Sequence, residues 1–153
     1  CRRAVTAAED HLVDHQPIDN PSESGMFRRA SLAEIALYNG HALFNATLRA
    51  PATAPMATGQ LRAALGSPSS LSRRRRAVGT TKLATLELLH GDRDEAITLA
   101  HQALDLSNGM RSARLTEDLR RLRTATTGHT GTPITTLRHQ LDTALTSAPA
   151  SRT

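Results

Sequence analysis

Between Leu83 and Leu106 the sequence reads as two amphipathic helices separated by almost nothing, and this one segment limits what the chain can fold into. Val78, Leu83, Leu86 and Leu89 recur at helical intervals behind Ser70 or Ser72, either of which can serve as N-cap. His90-Gly91 ends that helix, with Gly91 expected in the left-handed conformation that closes many helices. Asp92 then caps a helix from about Arg93 to Leu106, in which Ala96, Ile97, Ala100, Ala103 and Leu104 follow the helical period. Asp94 and Glu95 fall in its first turn, where carboxylates favour the positive end of the dipole. A turn this short forces the two helices antiparallel.

The rest of the chain repeats this grammar. A first helix is expected from about Arg2 to His15, followed by turn chemistry to Gly25. A second spans roughly Met26 to Leu48, with Leu32, Ile35, Ala36, Asn39, Leu43 and Ala46 on one stripe. Pro51 and Pro55 interrupt, and a shorter helix runs from about Met56 to Leu65. Beyond Leu106, helices are expected from Arg111 to Thr126 and from Pro133 to Ala148, with a tail of residues 149–153 expected to be disordered. About seven helices in one domain, residues 1–148, and no strand make the fold class all-α. The chain opens on Cys1 inside a helical pattern with no cap before it, so it is expected to be truncated at its N-terminus.

Composition supports helices and excludes several classes. With no Trp, one Tyr and two Phe, a sheet core has little of what strands favour, whereas the abundant Ala and Leu form helices well. One cysteine rules out an internal disulfide framework and fits a reducing cytoplasm. No apolar run reaches the roughly 20 residues that span a bilayer. Net charge is +5, and Lys82 is the only lysine among 19 basic residues. A positive balance permits acidic or nucleic-acid partners without establishing one.

The segment Leu83 to Leu106 resembles one tetratricopeptide repeat: Leu83 and Ala84 on the first helix, Gly91-Asp92 at the turn, and the small residues Ala96 and Ala103 where helices approach most closely. Leu37, Gly40 and Leu43, followed by Leu61 to Leu65, look like a second copy. The pattern departs from the family at Glu87, which lies where an aromatic is usual, and at Asn108-Gly109, which stands in place of a terminal proline. The order of Ser72 to Ala77, Gly91 to Leu106, Arg111 to Leu115 and Leu119 to Leu122 also resembles the C-terminal helical region of actinobacterial helix-turn-helix transcriptional regulators. The resemblance implies antiparallel helix pairs stacked as a short α-solenoid. It also implies a non-catalytic, cytoplasmic module that binds a protein, a peptide or another copy of itself. DNA would then be contacted only through a domain preceding Cys1.

In such a stack the groove is usually lined by the first helix of each pair. That assigns it Tyr38, His41, Asn45, Thr80, Leu83 and Glu87. Arg73, Arg74, Arg75 and Arg76 form the strongest basic run, a candidate grip on phosphates or nucleic acid that is weighed against a solvated helix start. On the helix after Arg111, pairs Arg114–Asp118 and Glu117–Arg121 are expected at i,i+4. His11 and His15 have metal-ligand spacing but no further ligand pair, and Asp92-x-Asp94-Glu95 lacks the remaining oxygens and glycine of a calcium loop. No phosphate loop, nucleophile elbow or paired cysteine motif occurs. Neither an enzymatic activity nor a cofactor is expected.

Overall fold

A computed structural model describes residues 31–67 and 71–147. Among these residues there are six α-helices, two short 3₁₀ turns and no strand. The helices are α1 (Leu32–Thr47), α2 (Ala54–Gly66), α3 (Arg73–His90), α4 (Arg93–Ser107), α5 (Ala113–Ala125) and α6 (Thr132–Ser147). Of the seven expected helices, the first (Arg2 to His15, with His11 and His15) lies outside the described residues, as does the tail from residue 149.

Local chemistry sets the boundaries. The expected helix start at Met26 lies outside the described residues; within them, α1 starts at Leu32. Ser31 and Glu34 form a capping box there, each side chain meeting the other's backbone N–H. Its buried stripe is also rotated from the expected one: Ala33, Leu37, Gly40, Leu43, Phe44 and Thr47 face inward, while Leu32 stands 68% exposed. A 3₁₀ turn (Pro51–Thr53) leads into α2, which begins two residues before the expected Met56. Pro55 fits there because the first turn of a helix needs no N–H from it. Ser72, Asp92 and Ser112 cap α3, α4 and α5.

Consecutive helices pair as three hairpins, α1–α2, α3–α4 and α5–α6, and α3 is the hub. It packs on α1, α2, α4 and α5, so every residue from Ala77 to Leu88 is buried. Two apolar clusters meet along it. Leu83 and Leu86 join Leu37, Leu43, Phe44 and Leu61 on one side, while Ala84 and Leu88 join Leu115, Leu122, Leu137 and Leu141 on the other. At about 1.5–3 kcal/mol for each large side chain fully buried, these clusters supply the main drive to fold.

The hairpins recur at a steady interval. First helices begin at positions 32, 73 and 113 (73 − 32 = 41, 113 − 73 = 40), and second helices at 54, 93 and 132 (93 − 54 = 39, 132 − 93 = 39). The first helices run in one direction: Arg75 near the start of α3 bonds Glu34 near the start of α1, and Lys82 further along reaches Phe44. Arg74 and Lys82 meet Ser112 and Asp118 of α5 in the same order. Ala57, Leu61 and Ala64 on α2 stand 39 residues before Ala96, Ala100 and Ala103 on α4, and all six are buried. The alanines at five of these six stations let each second helix lie close to its neighbours.

Among the described residues no helix is long and apolar enough to cross a membrane.

Candidate binding site

The six residues expected to line one groove separate into two sets. Tyr38, His41 and Asn45 form a stripe of α1, with Tyr38 59% exposed. His41 faces a sealed polar cluster beside α3 and α5. Thr80, Leu83 and Glu87 are buried on another side of α3, about half a helical turn from Lys82, against α2 and α4.

The polar cluster contains the one strongly unusual pairing in the described chain. Lys82 Nζ donates to Asp118 Oδ1 at 2.8 Å, with side chains 2% and 3% exposed, and lies 4.2 Å from the centre of the Phe44 ring. Burial holds the Lys82 ammonium below its ordinary pKa, against the opposing pull of Asp118. His41 is pushed down to about 4, first by burial and then by the charges of Lys82 and Arg114. His41 Nε2 and Asp118 Oδ2 have no hydrogen-bond partner among the described residues. Asp118 therefore does not form the expected i,i+4 pair with Arg114. It turns inward to Lys82, and Arg121 approaches it from the rim at 3.8 Å. The expected Glu117–Arg121 pair is present at 3.5 Å. A lone lysine in a helix without another cation from Val78 to Leu89, among Val78, Leu83, Leu86 and Leu88, was the signal in the sequence that something buried must neutralise it.

Glu87 has a structural task at the α3–α4 turn. Its carboxylate accepts from the backbone N–H of Asp92 at 3.2 Å and from Arg62 of α2 at 3.0 Å, while Arg62 also reaches Glu95 at 2.6 Å. Gly91 was expected to be left-handed, yet its φ is −132°. A β-carbon there would meet the Glu87 carboxylate and push it from its place against Arg62 and the Asp92 amide. Left-handed glycines occur instead at Gly109 and Gly131.

The basic run is largely consumed in holding helices together. Arg73 donates to the carbonyls of Asp105 and Asn108, at the end of α4, and Arg76 to those of Leu65 and Ser67, at the end of α2. Guanidinium groups placed there meet the negative ends of two helix dipoles. Arg75 pairs with Glu34, whose pKa is lowered first by its bond from the Ser31 backbone and then by Arg75. Arg74 makes a single hydrogen bond, to the Ser112 hydroxyl at 3.2 Å, and caps no helix end.

Two open furrows lie between successive second helices. One, of about 480 Å³, runs between α2 and α4 over α3, with Leu65, Leu83, Leu99 and Leu106 as its floor and Arg62, Glu95 and Gln102 at its rim. The other, of about 800 Å³, runs between α4 and α6 over α5, floored by Leu104, Leu115, Leu119 and Leu145. The furrows are built from matching stations. Arg62 and His101, Leu65 and Leu104, and Leu106 and Leu145 each stand 39 residues apart, one of each pair in each furrow. Thr80 and Leu83 are the expected groove residues that do line a furrow.

Among the described residues no group of His, Cys, Asp and Glu is placed to hold a metal. The chain matches no known protein family, no curated protein and no solved structure.

Proposed function

We propose that this chain is a non-catalytic, cytoplasmic binding module. Its three hairpins stack as a short solenoid, and its paired furrows hold a segment of a partner protein. The observation that carries this reading is the duplication of the furrow. Two leucine-floored troughs with polar rims, at matching stations on successive second helices, make a periodic surface that a helical or extended segment can follow. The apolar floors supply burial and the mixed rims supply direction. The burial of Lys82 and Asp118 supports binding over catalysis, since no substrate reaches a pair 2% and 3% exposed. The resemblance of Leu83 to Leu106 and its flanks to regulators makes the wider role an interaction or sensor part of a transcriptional regulator.

The test is a peptide-display selection on the full chain, followed by calorimetry of enriched peptides against the natural sequence and against Gln102→Arg and Gln140→Arg. Both glutamines are exposed furrow residues whose change leaves the core untouched. Peptides that bind the natural chain and lose about 10-fold or more in affinity to at least one variant support the reading. A selection that enriches nothing, or peptides indifferent to both changes, defeats it.

A further inference from the structure

The furrows leave one surface unexplained, on the first helices where α3 and α5 begin. Three arginines converge there without a carboxylate. Arg74 is exposed, and its one hydrogen bond is to the neutral Ser112 hydroxyl. Arg111 and Arg114 flank Ser112 in sequence, are exposed, and have no hydrogen bond or ion pair among the described residues. The acidic groups near by are already engaged: Glu117 by Arg120 and Arg121, Asp118 by Lys82 within the core, and Glu34 by Arg75. Nothing on the described chain neutralises the three guanidiniums, in contrast to Arg62, Arg75 and Arg123, each of which has found a carboxylate.

The neighbouring helix α1 carries the chain's only tyrosine. Tyr38 precedes His41 by one turn on α1, and Lys82 reaches both Phe44 of α1 and Asp118 of α5, so these two helices border one another beside His41, where the charge of Arg114 is also felt. At 59% exposure the Tyr38 ring presents a flat apolar surface to solvent. Guanidinium forks match phosphate oxygens, and an exposed aromatic face matches an unstacked base. A duplex keeps its bases paired and stacked and offers that ring nothing, and an acidic peptide would use the arginines alone.

We infer that Arg74, Arg111, Arg114 and Tyr38 form a binding surface for single-stranded nucleic acid, with the arginines on phosphates and Tyr38 stacked on a base. Arg111 also lines the α4–α6 furrow, so this surface adjoins that trough, but Arg74, Arg114 and Tyr38 lie outside both furrows and the inference stands independently of the peptide-binding reading.

Fluorescence anisotropy of a short labelled oligothymidylate with the full chain tests it, titrated from low to physiological salt, with duplex DNA and polyglutamate as competitors. Three phosphate contacts give a log–log salt slope of about −2. Tyr38→Ala weakens binding about 5-fold or more, the lower end of what base stacking contributes. The combined change of Arg74, Arg111 and Arg114 to Ala abolishes binding, while Arg49→Ala, at the far end of α1, leaves it intact. Circular dichroism checks that the triple variant folds. If it does not, Arg111→Glu, which removes no bond among the described residues, reads the same loss. Absence of binding at low salt, insensitivity to Tyr38, or equal displacement by polyglutamate or duplex overturns the inference.

Discussion

Lys82 and Asp118 show how a single residue decides the arrangement of helices. A buried ion pair gains little net stability over well-packed apolar groups, but removing one partner strands the other charge in the core. Lys82→Met should therefore cost about 3–5 kcal/mol in urea unfolding, and Lys82→Met with Asp118→Leu should recover most of that loss. His41 gives the chain a pH dependence of definite sign. Its folded pKa is about 4 against an ordinary value of 6.5, so between these limits the unfolded chain binds the additional proton. The stability contributed by neutral His41 is complete above pH 6.5 and is lost as pH falls toward 4. Glu34 and Asp142, held low by a backbone bond and by Arg123 respectively, lose their contributions only in the carboxylate range below that window. Thermal unfolding should show the melting temperature declining from pH 6.5 to 4, and His41→Gln should flatten that decline. Lys82 was legible as a charge within a helix of leucines, but the identity of its partner was not. Asp118 has Arg114 and Arg121 as helix neighbours, and the partner it found lies 36 residues away on another helix.

At the scale of helices, glycine separates close approach from mere permissiveness. Gly40 and Gly59 both sit inside helices, where alanine is the better helix former. A β-carbon at Gly40 would meet the Leu61 side chain at 2.7 Å, whereas one at Gly59 would meet nothing within 4 Å. Gly40→Ala should destabilise by about 1–3 kcal/mol through overpacking of α1 on α2. Gly59→Ala should stabilise by about 0.5–1 kcal/mol, and chemical denaturation of the two variants compares them directly. The helices themselves were legible, because the period of Leu and Ala marks them and the caps punctuate them. Asp92 was named in advance as a cap, and Ser72 as one of two. Boundaries set by a local bond were not legible from periodicity, as at Ser31, whose capping box with Glu34 fixes the start of α1. Gly91 closes α3 as expected but not in the left-handed conformation, and the Glu87 carboxylate seated against it is placed by the tertiary fold.

For the whole molecule, the hub position of α3 predicts how the chain breathes. Backbone amides of residues 81–88, in a helix covered on every side, should be the slowest to exchange in a hydrogen–deuterium experiment. Those of α6 should be among the fastest, because its outer face is polar and only Ile134, Leu137 and Leu141 anchor it deeply. Equal protection of α3 and α6 would refute this ranking. The upstream copy in Leu37 to Leu65 was legible in the sequence, but the third hairpin does not read as a further copy because matching stations keep their geometry and change their chemistry. Arg62 and His101 share a place that no comparison of letters would pair. The furrows followed the same logic, lying between second helices where the expectation had placed a groove on the first.

The carboxylate that neutralises Lys82 arrives with the third hairpin, and this has a consequence for synthesis on the ribosome. When α1 to α4 have emerged, their leucines can already gather, yet the ammonium of Lys82 has no counter-charge to accompany it inward and stays in water. Closure of the hub awaits the emergence of α5, so the nascent chain completes its fold in one late step instead of hairpin by hairpin.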